Sequence, residues 1–119
     1  MKPLIIVLMF ALTGCSFFDA HVDENTVYQY GKLEAVVDDS VKDTDAAVIE
    51  ALEDMQLTKV SHKVDAFYSV TKAKNAKNED VVVNLEKATD DTCNLSIKVG
   101  LTGDQVFSKA LYKSIIDNL

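Results

Sequence analysis

Between Cys93 and Val99 the side chains alternate without a break. Cys93, Leu95, Ile97 and Val99 fall on one side, and Asn94, Ser96 and Lys98 on the other. A strand sends successive side chains to opposite faces, so this segment satisfies both sets only with one side dry and one side wet. That demands a sheet covered on a single face, the habit of antiparallel sheets. The pattern recurs. Asp80 to Lys87 sets Val81, Val83 and Leu85 against Val82, Asn84 and Glu86. Tyr28 to Val37 sets Leu33, Ala35 and Val37 against Lys32, Glu34 and Val36, with Gly31 inside it as a bulge or a point of close approach. Leu57–Val64, with Val60, His62 and Val64 on one side, and Phe67–Lys74 complete five expected strands. Asp65-Ala66, Asn75 to Asp80 and Ala88 to Thr92 are polar and turn-like.

Two segments switch to a helical period. After Asp38-Asp39, Ser40 and Asp43 have the spacing of a capping box, and Asp39, Asp43 and Asp45 suit a helix N-terminus electrostatically. Val41, Thr44, Val48, Ala51, Leu52 and Met55 then form one apolar stripe, ending near Gln56. The second helix follows Gly100 to Gly103. Thr102 with Gln105 predicts its cap, Asp104 sits in its first turn, and Val106, Phe107, Ala110, Leu111, Ser114, Ile115 and Asn118 mark one broad face. The expected product is an α+β domain: an antiparallel sheet of about five strands with two helices packed on one face, in the order β-α-β-β-β-β-α. The length allows one domain, expected over residues 27–119.

The N-terminus reads differently. Lys2 precedes an unbroken apolar run from Leu4 to Leu12. A helix needs roughly 20 apolar residues to span a bilayer, so this run is too short to remain as a span. Small or neutral residues, Thr13 and Gly14, follow as a cleavage site requires, and then Cys15. Leu12-Thr13-Gly14-Cys15 resembles the lipobox of bacterial lipoproteins. That resemblance implies a diacylglyceryl group on the Cys15 sulfur, cleavage between Gly14 and Cys15, and acylation of the new amine. Residues 1–14 are then a signal peptide and 15–26 a lipidated cysteine with its tether. Ser16 rather than Asp after the cysteine leans, within that class, towards the outer membrane facing the periplasm.

Removing residues 1–14 leaves 11 Lys, no Arg and 19 acidic residues, a formal charge of −8. An acidic, Arg-free chain is a poor partner for nucleic acid, where binding is driven by counterion release from phosphates. It is equally poor at docking on anionic lipid, so acyl chains must supply membrane attachment. Once Cys15 is lipidated, Cys93 is the one thiol left, which excludes an internal disulfide. Two readings of Cys93 stand: a small buried residue sharing strand parity with Leu95, or the link of a disulfide dimer.

Few residues suggest chemistry. The chain has two histidines, His21 in the tether and His62 on a strand. A zinc site needs three or four convergent ligands, and His62 near Asp65 falls short. Serines 61, 69, 96, 108 and 114 lack a nucleophile elbow. Asp38, Asp39, Asp43 and Asp45 lack the glycine and distal Glu of a calcium loop. Gly100 and Gly103 precede a helix, but Asp104 opposes an anion there. Lys72, Lys74, Lys77 and Lys87 gather around one hairpin, either as guards of a sheet edge or as a basic patch facing a partner. No catalytic residue, metal or cofactor is expected, and a hydrolase would need a cleft joining His62, Asp65 and a serine.

Four parts in order resemble a family of small bacterial lipoproteins, domain-of-unknown-function family 3568. They are the lipobox ending at Cys15, Gly31-Lys-Leu-Glu-Ala, Ala47-Val-Ile-Glu-Ala-Leu, and Ile97-Lys-Val-Gly-Leu-Thr-Gly-Asp104 with Ser108 and a terminal apolar helix. The resemblance implies a lipid-anchored envelope protein with an α+β domain and supplies no catalytic residues. The expected function is a non-enzymatic envelope lipoprotein with a structural or protein-interaction role, held to the membrane by acyl chains on Cys15. The alternative is a ligand-binding or assembly module working with an envelope protein partner.

Overall fold

The computed structural model describes residues 26–119. The expectations for the signal peptide, Gly14, Cys15 and the tether up to residue 25 lie outside the described residues. Thr26, assigned above to the tether, opens the first strand.

Strands β1 (Thr26–Gln29) and β2 (Lys32–Val37) pair antiparallel around Tyr30-Gly31. Both turn residues have positive φ, 54° and 77°, as a two-residue type I′ turn requires. The expected single strand with a bulge is therefore a hairpin, and the sheet has six strands rather than about five. Tyrosine seldom takes positive φ and has a high strand propensity, so the turn is hidden in strand-like sequence.

Helix α1 (Val41–Asp54) begins at Ser40, whose Oγ accepts the Asp43 N–H at 3.2 Å. It ends in a Schellman motif. Gln56, at φ 61°, donates its N–H to the Glu53 carbonyl, and Leu57 donates to the Leu52 carbonyl. Val41, Thr44, Val48, Ala51 and Leu52 are buried, along the stripe expected for this helix.

The chain then emerges at the far edge and returns as a meander of β3 (Thr58–Val64), β4 (Tyr68–Lys74), β5 (Asp80–Thr89) and β6 (Thr92–Val99). The strand order is β1-β2-β6-β5-β4-β3, with every neighbouring pair antiparallel. The last strand therefore closes against the first hairpin: Leu33 lies opposite Ile97, Ala35 opposite Leu95 and Val37 opposite Cys93. All six of these side chains are buried. On β3 the register shifts between Lys59 and Ser61. The extra residue breaks the parity expected for Val60, which is 54% exposed while His62 keeps the parity of buried Thr71.

Helix α2 (Gln105–Asp117) starts later than the Thr102–Gln105 box predicts. Asp104 is its cap, and Oδ1 accepts the Phe107 N–H at 3.0 Å. Its buried face is Ser108, Leu111, Tyr112 and Ile115, while Val106 is 80% exposed and Ala110 is also exposed. Apolar residues occur around most of this helix, so composition alone did not set its rotation. Helix α1 packs on β3, β4 and β5 and against α2, which packs on β2 and β6. Each fully buried aliphatic side chain contributes about 1.5–3 kcal/mol. Leu33, Leu85, Leu95, Ile97, Leu111 and Ile115 are the largest of them.

The late start of α2 has a local cause. Gly103, at φ 89°, lies against the Tyr30-Gly31 turn. A Cβ at Gly103 would come within 2.5 Å of both Gly31 Cα and the Tyr28 hydroxyl, and one at Gly31 within 2.9 Å of the Thr102 carbonyl oxygen. Thr102 and Gly103 are thus held in a backbone-to-backbone contact and are not free to begin a helix. Gly103→Ala adds left-handed strain of about 1–2 kcal/mol and overpacking of about 1–3 kcal/mol. The expected loss of about 2–5 kcal/mol is read from urea unfolding. Tyr28→Phe in the same chain should not restore it, because Gly31 still blocks the methyl group.

Candidate functional site

Two places gather polar groups: a cluster under α1 and the exposed face of the sheet. In the first, Asp45 is 6% exposed. Its carboxylate takes His62 Nε2 at 3.0 Å from each oxygen and accepts the Ser69 hydroxyl on Oδ1. The three residues come from α1, β3 and β4. Asp45 stands one turn beyond Val41 and within the stripe of Thr44 and Val48, so its burial had a signal in the sequence. Its carboxylate also suited the helix N-terminus, which concealed that signal.

This cluster has the residue types of a hydrolase without its order. A catalytic histidine stands between the serine and the acid, able to take the serine's proton. Here the acid stands between them, and Ser69 is 1% exposed with its hydroxyl donated to Asp45. Asp65, the expected neighbour of His62, instead caps the β3–β4 turn by accepting the N–H groups of Phe67 and Tyr68 at 2.8 and 3.0 Å. The cluster's physical effect is to fasten β3. All seven β3 residues are exposed in whole or in part, and His62 ties that edge strand to α1.

The other expected residues are dispersed. Asp39 accepts the Ser40 N–H at 3.0 Å, and among the described residues no group of three His, Cys, Asp or Glu is placed to hold a metal ion. Gly100 donates its N–H to the Asp80 carbonyl in an ordinary strand connection. Serines 61, 96, 108 and 114 lie on β3, β6 and α2, and Ser108 is wholly buried. Cys93 is wholly buried against Thr44, whose Oγ1 lies 3.5 Å from the sulfur. Burial pushes its thiol above the ordinary value of 9.0, with a smaller push from Asp39 against a lowering hydrogen bond from Thr44. Burial, with Asp38 adding to it, likewise raises Tyr112 above 10.0.

The lysine hairpin is not at an edge, because β1 and β3 are the edge strands. Lys74 pairs with Asp80 and Lys87 with Asp90, each at 3.0 Å. The Lys74 hydrogen bond and charge hold the Asp80 carboxyl below the usual range. Lysines that do stand on an edge strand are Lys59 and Lys63, the latter 5.9 Å from the Tyr68 ring centre.

The exposed face forms a concave trough of about 770 Å³ crossing β1, β2, β6, β5 and β4. The register arranges its side chains in cross-strand rows. Val36, Asn94, Glu86 and Tyr68 form one; Val27, Glu34, Ser96, Asn84 and Val70 form the next. Lys32, which opens the next row towards Lys98, Val82 and Lys72, marks the trough's limit on that side; the other three residues of that row lie outside it. The trough therefore combines apolar walls, amides and a hydroxyl near its middle, and separate acidic and basic positions. Wet-side residues of these strands were legible in the alternation; the curvature that makes them a trough was not.

Two outcomes test these environments. Asp45→Asn leaves His62 and Ser69 with a weaker acceptor and should cost about 1–3 kcal/mol. Hydrogen exchange should quicken most at β3 amides; uniform acceleration would show that the cluster does not fasten the edge. For Cys93 and Tyr112 the unfolded chain ionises more readily than the folded one. Their contribution is therefore full below pH 9 and is lost as pH rises through their raised values. Urea midpoints measured from pH 7 to 11 should fall above pH 9, and Cys93 should stay unreactive to thiol reagents until the chain unfolds.

No curated protein matches the chain. The model of the family described as Protein of unknown function (DUF3568) matches residues 3–118, nearly the whole length, and the chain belongs to that family.

Proposed function

We propose that this chain is a lipid-anchored, non-enzymatic domain of the bacterial envelope that binds a partner through the exposed face of its sheet. The anchor rests on one observation, the order of Lys2, the apolar run Leu4–Leu12 and Leu12-Thr13-Gly14-Cys15. Two or more acyl chains, each methylene contributing about 0.8 kcal/mol, give stable membrane attachment. Ser16 after the cysteine favours the outer membrane, periplasmic side. In this reading both helices roof one face of the sheet and the bare face works.

The trough favours a binding role over a purely structural one, because a concave surface with convergent polar groups is the usual form of a recognition site. A hydrolase reading has less support, since Ser69 and His62 both engage Asp45 instead of one another. Replacing Cys15 with Ser tests the anchor. The wild-type chain should carry a labelled acyl group and sediment with outer membranes, and the variant should carry none and appear in the soluble periplasmic fraction. A variant still in the membrane fraction without acyl label removes the anchor from the proposal.

A further inference from the structure

Among the described residues the three most exposed large apolar side chains are Tyr30, Leu101 and Val106, at 96%, 93% and 80%. They come from three segments: the β1–β2 turn, the β6–α2 loop and the first turn of α2. The contact of Gly31 with Thr102 and Gly103 brings those segments together. Tyr30 adjoins Gly31, Leu101 adjoins Thr102, and Val106 follows Gly103 by three residues, so the same glycine contact gathers an apolar tip. Tyr30 is also strained. It takes the first central position of the turn at φ 54°, where Gly, Asn or Asp is the relaxed choice. A ring this exposed gains no packing to offset that strain.

The two ends of the sheet differ in charge. The pairs Lys32–Lys98, Thr58–Lys74 and Val81–Val99 place four connections at the tip end: residues 30–31, 55–57, 75–79 and 100–104. They hold Lys77 against Glu79 and Asp104. Lys32, Lys59, Lys74 and Lys98 stand on the adjoining strand ends, against Asp80 and, at the end of α1, Glu53 and Asp54. The connections at the other end, residues 38–40, 65–67 and 90–91, hold five aspartates and no lysine: Asp38, Asp39, Asp65, Asp90 and Asp91. A bilayer containing anionic lipid therefore repels that end and not the tip. None of the three tip side chains lines the trough. They protrude, and fluid lipid closes around protruding groups without a shaped partner surface. Tyrosine suits the interface, with its ring among the headgroups and its hydroxyl in water. An anchor on Cys15 permits the approach. It lies eleven residues before Thr26, a reach of at most about 36–40 Å, and Tyr30 is four strand residues beyond Thr26, about 13 Å.

We propose that Tyr30, Leu101 and Val106 dip into the lipid interface and stand the strands upright on the bilayer, with the aspartate-rich end outward and the trough open to the side. This rests on the lipid-anchor reading, which supplies the surface, and adds the orientation of the domain upon it. Three side chains do not hold a chain at a membrane; they orient one that acyl chains keep there.

The chain contains no tryptophan, so Tyr30→Trp gives a single reporter. The full acylated Tyr30→Trp chain is reconstituted in vesicles of phosphatidylethanolamine and phosphatidylglycerol, with and without bromine on the lipid acyl chains. Bromine should quench its emission at least twofold. A Phe67→Trp chain, reporting from the other end, should be quenched by aqueous iodide and not by bromine. Adding Leu101→Ser and Val106→Ser to the Tyr30→Trp chain should at least halve the bromine quenching and leave the urea midpoint unchanged, because both side chains are exposed. Three results would each overturn the tip: emission from position 30 quenched by iodide alone, emission shielded from both quenchers as by a protein or a second copy, or equal bromine quenching at positions 30 and 67. A sample without acyl label overturns the anchor and, with it, the surface needed here. A labelled sample whose tip is not quenched by bromine overturns this inference alone.

Discussion

Pairing of β2 with β6 holds this fold together. It joins residues 32–37 to residues 93–98, far apart in the sequence, and it is the seam that makes one six-stranded sheet out of a hairpin and a meander. Its inward pairs are all buried aliphatic or thiol side chains. The contact of Gly31 with Gly103 locks the same seam from outside, where the first turn meets the loop entering α2. Because the partners are so far apart in sequence, loop-closure entropy must be met before the pairing stabilises anything.

The sequence patterns that predicted the domain succeeded where one force acted alone. Alternation in β5 and β6 reflects burial on one face and nothing else, and both strands match it. The Ser40 cap and the α1 stripe were equally direct. Errors arose where two demands met in one residue. Tyr30 is strand-like in type but takes a turn conformation, which hid a strand. Thr102 has the chemistry of a cap but is held by the glycine contact. Asp45 suits a helix N-terminus and is also the acceptor for His62 and Ser69. In the last two the deciding neighbour is distant in the chain, so local sequence does not resolve them.

Two segments that carry the family resemblance gain a shared meaning in three dimensions. Gly31-Lys-Leu-Glu-Ala supplies the turn and β2; Ile97 to Asp104 supplies β6 and the loop that covers that turn. They are two sides of one seam. Net charge also conceals a distribution: the chain is acidic at −7, yet the exposed sheet face carries Lys32, Lys72 and Lys98. Whole-chain charge therefore says little about what this particular face attracts.

The position of β1 has a mechanical consequence. Any tension between an anchor on Cys15 and the domain enters at Thr26, the first residue of a four-residue edge strand. Antiparallel hydrogen bonds lie perpendicular to the strands. A pull directed along β1 loads the β1–β2 bonds together in shear, whereas a pull away from the sheet opens them one after another. In the first case the load passes from β1 into β2 and the seam behind it.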